Sequence, residues 1–229
     1  MDRLIFPDLM KDHVTAFFTG KNPGTDPDNL SKIMRIKNDQ IYMPLQKHTD
    51  KIAILGSSLV PIIADAVITK EAGILVGIQV ADCVPILLYE KTKGIIGAIH
   101  AGWRGTAEAI LKKTIKAVMD RFVCSEDNIY IALGPAIRWC CYNVDFDVMN
   151  AVSHATGPGD YSIKKGGKYC LDLPQANKYQ ALSMRIPERN IWLSDECTFC
   201  NPDKFYSYRY AGRYSRETTG RQGAFIGRI

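Results

Sequence analysis

The sequence predicts an α+β fold, a layered sandwich with mixed sheets ordered α/β/β/α and built as a single domain. Short β-branched apolar runs recur between glycines, prolines and charged residues, which is typical of strands. A later segment has apolar residues every three or four positions, the spacing of an amphipathic helix. Strands outnumber helices, and hairpin-like runs alternate with crossovers, so we expect separate layers of sheet and helix.

The elements follow from this pattern in order. The predicted strands are 13–19, 51–55, 64–69, 75–80, 86–89, 95–100, 128–133, 190–193, 205–210 and 224–226. The strongest helix follows Gly105, with its apolar stripe at Ile110, Leu111, Ile115, Val118 and Phe122. A second helix is predicted from Pro174 to about Ser183, because proline is favoured in the first turn.

Composition limits the class of protein. The chain has 229 residues, 46% of them hydrophobic, which is enough for a substantial core. Its 29 basic and 24 acidic side chains are mixed along the chain, a distribution that argues against nucleic acid and weakly favours small anionic ligands. The first thirteen residues contain no long apolar stretch and the cysteines are odd in number, so we expect a cytoplasmic protein with reduced thiols and no membrane segment.

Two of the four histidines stand beside unusual local sequence at predicted strand ends. His48 follows Gln46-Lys47, and His100 precedes Ala101-Gly102-Trp103-Arg104-Gly105. Between them, an apolar strand breaks at Asp82-Cys83 before Pro85. Two imidazoles and a thiolate suit Zn²⁺ and leave one tetrahedral position open, which is typical of a catalytic site.

Two other interpretations of Cys83 remain open. A single intracellular cysteine is commonly a small buried apolar residue. Cys83 and His100 also have the residue types of a thiolate nucleophile and its base, which need no metal.

The remaining cysteines carry weaker signals. Cys197-Thr198-Phe199-Cys200 has the spacing of a redox dithiol or half of a zinc ribbon, but the chain has no second pair with this spacing. The adjacent Cys140 and Cys141 follow Gly134-Pro135, and we expect them to pack at a turn.

Two arginines are candidates for an anion site. Gly105 and Thr106 are predicted to open the strong helix, so their backbone N–H groups would attract an anion beside Arg104. The alternative is ordinary capping by the Thr106 hydroxyl. Arg209 is the second candidate, because its guanidinium suits two-point contact with phosphate or carboxylate, and its alternative is a surface ion pair.

Taken together, several motifs resemble the YfiH-type family, and the resemblance runs from about residue 13 to the C-terminus. The segments that carry it are 46–48, 81–88, 100–105, 133–137, 142–144, 171–173, 197–198 and 206–209. This family was long labelled polyphenol oxidase or laccase. It is better described as zinc-dependent purine nucleoside phosphorylases with adenosine deaminase and S-methyl-5′-thioadenosine phosphorylase activities.

The resemblance implies one domain over 1–229, with Zn²⁺ held by His48, Cys83 and His100. It places Asp82, Arg104 and Arg209 near the substrate pocket, and we add Gln46 as a substrate contact. The expected ligands are purine nucleosides and phosphate. Asp82 is the candidate proton carrier, with turn capping or orientation of a metal ligand as its alternative role.

The sequence departs from the family pattern at three places. Thr49 stands where the family has glycine, Tyr210 replaces a second arginine, and the segment 20–38 is shortened and divergent. Family contacts to the phosphate or base in that segment therefore have no counterpart that can be identified here.

Other functions are weighed against this one. A multicopper oxidase needs on the order of ten histidine ligands, more than this chain has. The His-x-Glu and Pro-Cys-x-x-Cys patterns of cytidine-type deaminases are also absent. The alternatives retained are a Cys83/His100 hydrolase or amidase acting on a peptide or cell-wall precursor, and a non-enzymatic zinc-stabilised binding module.

Overall fold

The computed structural model describes residues 4–11, 13–215 and 219–229. Its strands are β1 (Leu4–Ile5), β2 (Thr15–Thr19), β3 (Ile41–Tyr42), β4 (Ile52–Leu55), β5 (Ala66–Thr69), β6 (Leu75–Val80), β7 (Val84–Glu90), β8 (Ile95–Ala101), β9 (Ile129–Leu133), β10 (Asn143–Val144), β11 (Ser162–Lys165), β12 (Lys168–Leu171), β13 (Ile191–Leu193) and β14 (Gln222–Gly227). Its helices are α1 (Pro27–Met34), α2 (Trp103–Ala107), α3 (Ile110–Phe122), α4 (Phe146–Thr156), α5 (Leu173–Ser183) and α6 (Tyr208–Tyr210).

Two mixed sheets form the centre of the fold. The larger has six strands in the order β13-β9-β7-β8-β5-β4, and the smaller has five in the order β1-β2-β14-β6-β3. A third sheet of three short strands, β10-β12-β11, lies beside them. The predicted α+β class with mixed sheets is confirmed.

Alternating side chains build the layers, because successive residues of a strand point to opposite faces. On the six-stranded sheet, Ile86 and Leu88 of β7 pack with α3 and α5, while Leu87 packs toward the five-stranded sheet. On the far face of the smaller sheet, Phe17 and Phe225 meet Leu30 of α1. The layer order is therefore helix, sheet, sheet, helix.

Helix α3 forms over the predicted apolar stripe, but it begins at Ile110 and not at Gly105 as predicted. Ile110, Leu111, Ile115 and Val118 are fully buried against the large sheet. Each such side chain contributes roughly 1.5–3 kcal/mol relative to exposure. Burial of this stripe therefore fixes α3 to the sheet.

Strand register determines which residues meet at one end of the large sheet. Antiparallel pairing places Pro85 of β7 opposite His100 of β8, so Cys83 lies opposite Gly102. Ala66 of β5 pairs with Ile99, which puts Asp65 beside His100. The C-terminal ends of β9 and β13 reach the same end, since Leu133 pairs with both Ile86 and Leu193.

Two local predictions are wrong. Segment 205–210 is not a strand. It leads into the short helix α6, which continues as a π-helical turn, Ala211–Ser215. The cause is Ser207, whose hydroxyl accepts a hydrogen bond from the Tyr210 backbone N–H and caps the helix. Gly105 and Thr106 do not open the strong helix. They lie inside the separate helix α2, and Ala109 in the left-handed region (φ 55°) divides α2 from α3.

Helices α1 and α4 were not predicted from the sequence. In α4 only Val152 and Thr156 are buried, so its apolar stripe is too weak to be recognised. Over the described residues, no helix has the length and apolar character needed to cross a membrane. Residues 1–3 and 12 of the N-terminal segment lie outside the described residues.

Candidate metal and substrate site

The three predicted metal ligands meet at the end of the large sheet. The ligand atoms of His48, Cys83 and His100 all lie within 4.8 Å of one another. The two imidazole rings stand nearly perpendicular, with centroids 4.8 Å apart and an interplanar angle of 75°. His48 is exposed, Cys83 half-buried and His100 buried, so the group opens toward solvent on the His48 side. This arrangement can hold one metal ion and leave a coordination position for another ligand.

A buried carboxylate that the sequence analysis missed braces this group. Asp65 is fully buried, and its Oδ1 accepts a hydrogen bond from His100 Nδ1 at 2.8 Å. The bond leaves His100 Nε2 free for a metal or for the Cys83 sulfur, which is the usual arrangement behind a metal-bound histidine. In the sequence, Asp65 fell inside the predicted strand 64–69, and nothing local indicated that its carboxylate would meet His100.

Asp65 also shapes the loop that carries His48. Its two oxygens accept from the backbone N–H groups of Lys47 (3.2 Å), His48 (3.0 Å) and Thr49 (2.7 Å), and from the Thr49 hydroxyl (2.8 Å). One carboxylate thus joins the loop to His100 on β8. Thr49, a departure from the family pattern, supplies a contact that glycine could not.

His48 has a strained backbone, with φ at 57° in the left-handed region. For a residue with a side chain this conformation costs roughly 1–2 kcal/mol. The hydrogen bond from His48 N to Asp65 holds it there. Strain of this kind is commonly found at functional sites.

Electrostatics in the group favour a thiolate next to an imidazolium in the absence of metal. Burial opposes ionisation of Cys83, but the charges and hydrogen bonds of His100 and His48 lower its pKa below the usual thiol value. Burial likewise disfavours charged His100, yet Cys83 and Asp65 raise its pKa. For Asp65, burial is outweighed by its hydrogen bonds from His100, Thr49 and Lys47, which hold its pKa well below the usual value. A deprotonated sulfur is the form that binds metals.

Gly102 is required by close packing rather than by its backbone angles. A Cβ atom at this position would lie 2.9 Å from Cys83 Sγ and 3.4 Å from His48 Cδ2. Any side chain there would displace the thiol. Gly102 therefore allows Cys83 and His48 to come close enough to share one metal ion.

Asp82 lies beside the group but uses both oxygens on the protein. Its Oδ1 accepts from the Thr198 hydroxyl at 2.6 Å, and its Oδ2 accepts from the Arg209 backbone N–H at 2.8 Å. Asp82 itself has a positive φ of 80°. These contacts match the orienting role considered for Asp82, since the carboxylate ties segments 197–200 and 208–210 to Cys83.

Tyr142 lies among the charged groups of the site and was not selected as a site residue from the sequence. Burial and the negative charges of Cys83 and Asp82 raise its pKa to about 12, while the positive charges of Arg209 and Arg104 act in the opposite direction. The Arg209 guanidinium lies 4.7 Å from its ring centroid. Because the phenol stays protonated at neutral pH, Tyr142 is a hydrogen-bond donor within the site.

The two predicted arginines differ in their contacts. Arg104 is exposed and stacks on the Trp103 ring at 4.4 Å. Arg209 is half-buried, and its Nη1 donates to the Asn143 carbonyl at 2.8 Å. The positive charges of both arginines act to lower the pKa of Tyr142.

Gln46 and Thr106, both predicted to contact a ligand, bind other parts of the protein instead. The Gln46 side chain pairs with the Gln79 backbone through two 2.8 Å hydrogen bonds, so its amide fastens the His48 loop to β6. The Thr106 N–H donates to the Gly102 carbonyl at 2.8 Å, and its hydroxyl accepts from Asn177 Nδ2. The Thr106 N–H is therefore not available to the expected anion cradle, and the prediction that Thr106 caps the helix is wrong because Thr106 lies inside α2.

The chain is similar to several known proteins over most of its length. A relative from Geobacillus stearothermophilus named purine nucleoside phosphorylase YlmD is 40% identical over 167 residues, which cover 72% of this chain and 60% of that protein. A purine nucleoside phosphorylase of Clostridium acetobutylicum is 37% identical over 79% of this chain and 74% of its own length. A protein of an unknown prokaryote named adenosine deaminase RL5 is 32% identical over 82% of this chain and 77% of its own length.

Solved structures and a family model agree with these relatives. The crystal structure of YlmD from Geobacillus stearothermophilus superposes with a TM-score of 0.86 at 30% identity, over 94% of this chain and 92% of that chain. That of the Bacillus licheniformis hypothetical protein YfiH gives 0.86 at 26% identity, over 99% and 98%. Residues 25–229 match the family model described as multi-copper polyphenol oxidoreductase laccase. Since the match spans the His48, Cys83 and His100 segments and nearly the whole fold, the chain belongs to this family, the YfiH-type proteins that its motifs resemble.

Proposed function

We propose that this chain is a zinc-dependent purine nucleoside phosphorylase that converts cytoplasmic inosine, adenosine or guanosine, with phosphate, into the free base and ribose 1-phosphate. The observation that carries the proposal is the His48/Cys83/His100 group with His100 braced by Asp65. Relatives named purine nucleoside phosphorylase support the choice of reaction.

The donor set fits zinc. Two imidazoles and one thiolate match its borderline-soft character, and three ligands leave one position for a substrate atom or water. Zinc bound there would supply a Lewis acid that polarises the substrate. Asp65 keeps the Nε2 atom of His100 directed at the site and holds the His48 loop in place.

Phosphorolysis also needs an anion site and a donor for the departing purine. Arg104 and Arg209 supply positive charge beside Tyr142, and the guanidinium fork suits phosphate oxygens. We assign the protonated Tyr142 hydroxyl as the hydrogen-bond donor to the substrate. Asp82 acts as a positioning residue, because its oxygens hold Thr198 and the Arg209 backbone.

The same group would serve related substrates. Adenosine and S-methyl-5′-thioadenosine offer the same purine and anomeric carbon to the same chemistry. A relative named adenosine deaminase favours deamination of adenosine as a second activity. A multicopper oxidase is not proposed, because the chain's four histidines are too few for such copper centres.

A rate assay tests the proposal. Purified protein should release hypoxanthine from inosine only when phosphate is present, lose this activity after chelation, and regain it with added zinc. His48→Ala should abolish the activity. His154→Ala, which changes another exposed histidine on α4, is the matched control and should leave it intact. Activity of His48→Ala equal to the control would remove this group from the reaction.

A Cys83/His100 hydrolase is the second candidate. The specific observation in its favour is the lowered pKa of Cys83 beside two imidazoles, which would give a nucleophilic thiolate without metal. Peptide or amide cleavage that persists after chelation and is lost with Cys83→Ser would support it. A protein that binds zinc but turns over no substrate would instead be a binding module.

A further inference from the structure

Four cysteines from two distant segments meet at the end of the large sheet. Cys140 and Cys141 lie in the turn after β9, and Cys197 and Cys200 lie in the loop after β13. Their sulfur atoms all lie within 4.8 Å of one another. The Cys200 sulfur is 3.2 Å from that of Cys141 and 3.7 Å from that of Cys140. The fold thus supplies the second pair that the Cys-x-x-Cys spacing lacked in sequence.

We propose that Cys140, Cys141, Cys197 and Cys200 form a second metal site, a tetrathiolate zinc site with a structural role. Zinc bound to thiolates at about 2.3 Å in a tetrahedron separates the sulfurs by about 3.8 Å. The Cys140–Cys200 separation of 3.7 Å lies close to this value, the Cys141–Cys200 separation of 3.2 Å is shorter, and all four sulfurs lie within 4.8 Å of one another. Four sulfurs fill every tetrahedral position, so this site is closed, in contrast to the open His48/Cys83/His100 group.

Backbone contacts hold the two segments together independently of the sulfurs. Ala136 and Cys197 form a parallel β-bridge, and the Thr198 N–H donates to the Ala136 carbonyl at 3.1 Å. The Cys141 N–H donates to Arg138 O at 2.9 Å within its own turn. The four thiols are therefore brought together by the fold, and a metal need only bind to them.

The surroundings favour a metal over buried apolar packing. Cys140 and Cys141 lie in a turn, as expected, but Cys140 and Cys200 are exposed and Cys141 is half-buried, so these three residues are not core side chains. A disulfide would use only two of the four sulfurs and would require a 2.03–2.05 Å bond. Convergence of all four is the arrangement of a zinc ligand set.

The site would stabilise one wall of the reaction site. Thr198 lies between Cys197 and Cys200 and donates to Asp82, next to Cys83. Tyr142 directly follows Cys141. A tetrathiolate metal would therefore fix both segments relative to the first metal group, without contacting substrate.

Elemental analysis of protein purified under reducing conditions tests this inference. Wild type should contain about two zinc ions per chain, because each ligand group binds one. Cys83→Ala should retain about one, and the double variant Cys141→Ser/Cys200→Ser should also retain about one. Cys124→Ser, which changes a half-buried cysteine just after the C-terminal end of α3, is the matched control and should retain about two.

Cobalt provides a second measurement that does not depend on how well any one variant binds zinc. Co²⁺ added to metal-free Cys83→Ala should give the intense thiolate charge-transfer absorption of a four-sulfur site, and the double serine variant should lack it. The tetrathiolate zinc should be present in Cys83→Ala even if the His48/Cys83/His100 group is empty or inactive. Failure of the proposed function can therefore be told apart from failure of this inference.

Three results would overturn the inference. One is Cys83→Ala protein that lacks zinc and has every thiol free to react. Another is a disulfide between these cysteines, found by mass spectrometry after reducing purification, which would indicate a redox pair. Iron instead of zinc at this group would contradict the assigned metal.

Discussion

Replacing Asp65 by Asn tests whether one buried carboxylate supports both the fold and the metal group. The five hydrogen bonds to Asp65 divide between its oxygens: His48 N and His100 Nδ1 donate to Oδ1, while Lys47 N, Thr49 N and the Thr49 hydroxyl donate to Oδ2. Asparagine keeps one oxygen and replaces the other with an NH₂ group, which cannot accept. At best it preserves three of these bonds and leaves the other two donors facing the NH₂ group.

The expected cost follows from those two lost bonds. A hydrogen bond to a charged group contributes about 1.5–3 kcal/mol, so Asp65→Asn should lower the free energy of unfolding by about 3–6 kcal/mol. Loss of the partner of a metal-binding histidine typically weakens metal binding about 10–100-fold. Both effects should appear together, because the same carboxylate holds the His48 loop and His100.

Urea unfolding and zinc competition with a chelator measure the two effects. Asp50→Asn is the matched control: it makes the same change on the neighbouring part of the loop, where Asp50 is 42% exposed and paired with Lys113. Its unfolding free energy should stay within about 0.5 kcal/mol of wild type. If Asp65→Asn behaved like Asp50→Asn in both measurements, the bracing role of Asp65 would be refuted.

Three further substitutions test separate parts of the site. Gly102→Ala places a Cβ against Cys83 Sγ and should weaken zinc binding at least tenfold in the chelator assay. Gly56→Ala is the control, because a Cβ there meets nothing within 4 Å, and it should leave zinc affinity unchanged. Equal zinc affinities of the two variants would contradict the packing argument. Tyr142→Phe should lower kcat for inosine phosphorolysis about 10–100-fold with zinc content unchanged, since it removes one hydrogen-bond donor contributing about 1.5–3 kcal/mol; an unchanged kcat would exclude the hydroxyl from the reaction. Arg209→Ala should raise the phosphate KM at least about tenfold, with partial rescue by Arg209→Lys, and a phosphate titration identical to wild type would return Arg209 to a structural role.

The sequence predicted the elements whose side chains alternate or repeat clearly. β6 has the predicted bounds and α3 forms over the predicted apolar stripe, because their apolar residues face dense layers on defined faces. Segment 205–210 looked like a strand because of its aromatic residues, but Ser207 caps a helix there. Local capping by a hydroxyl overrode β propensity, and nothing in the apolar pattern indicates it.

The metal group was predicted as a set of residue types, and the structure brings those residues together. Its support was not predicted, because it depends on register and loop path. Asp65 becomes a partner of His100 only when β5 pairs with β8, and Cys140 meets Cys200 only when β13 lies parallel to β9. Contacts between distant segments of this kind have no local sequence signal.

The most direct test of the central claim is product identification with inosine, phosphate and the zinc-loaded protein. Mass spectrometry should find ribose 1-phosphate and hypoxanthine in equal amounts, with both products lost on chelation and restored by zinc. Hypoxanthine accompanied by free ribose, at a rate independent of phosphate, would show hydrolysis and contradict phosphorolysis at the His48/Cys83/His100 site.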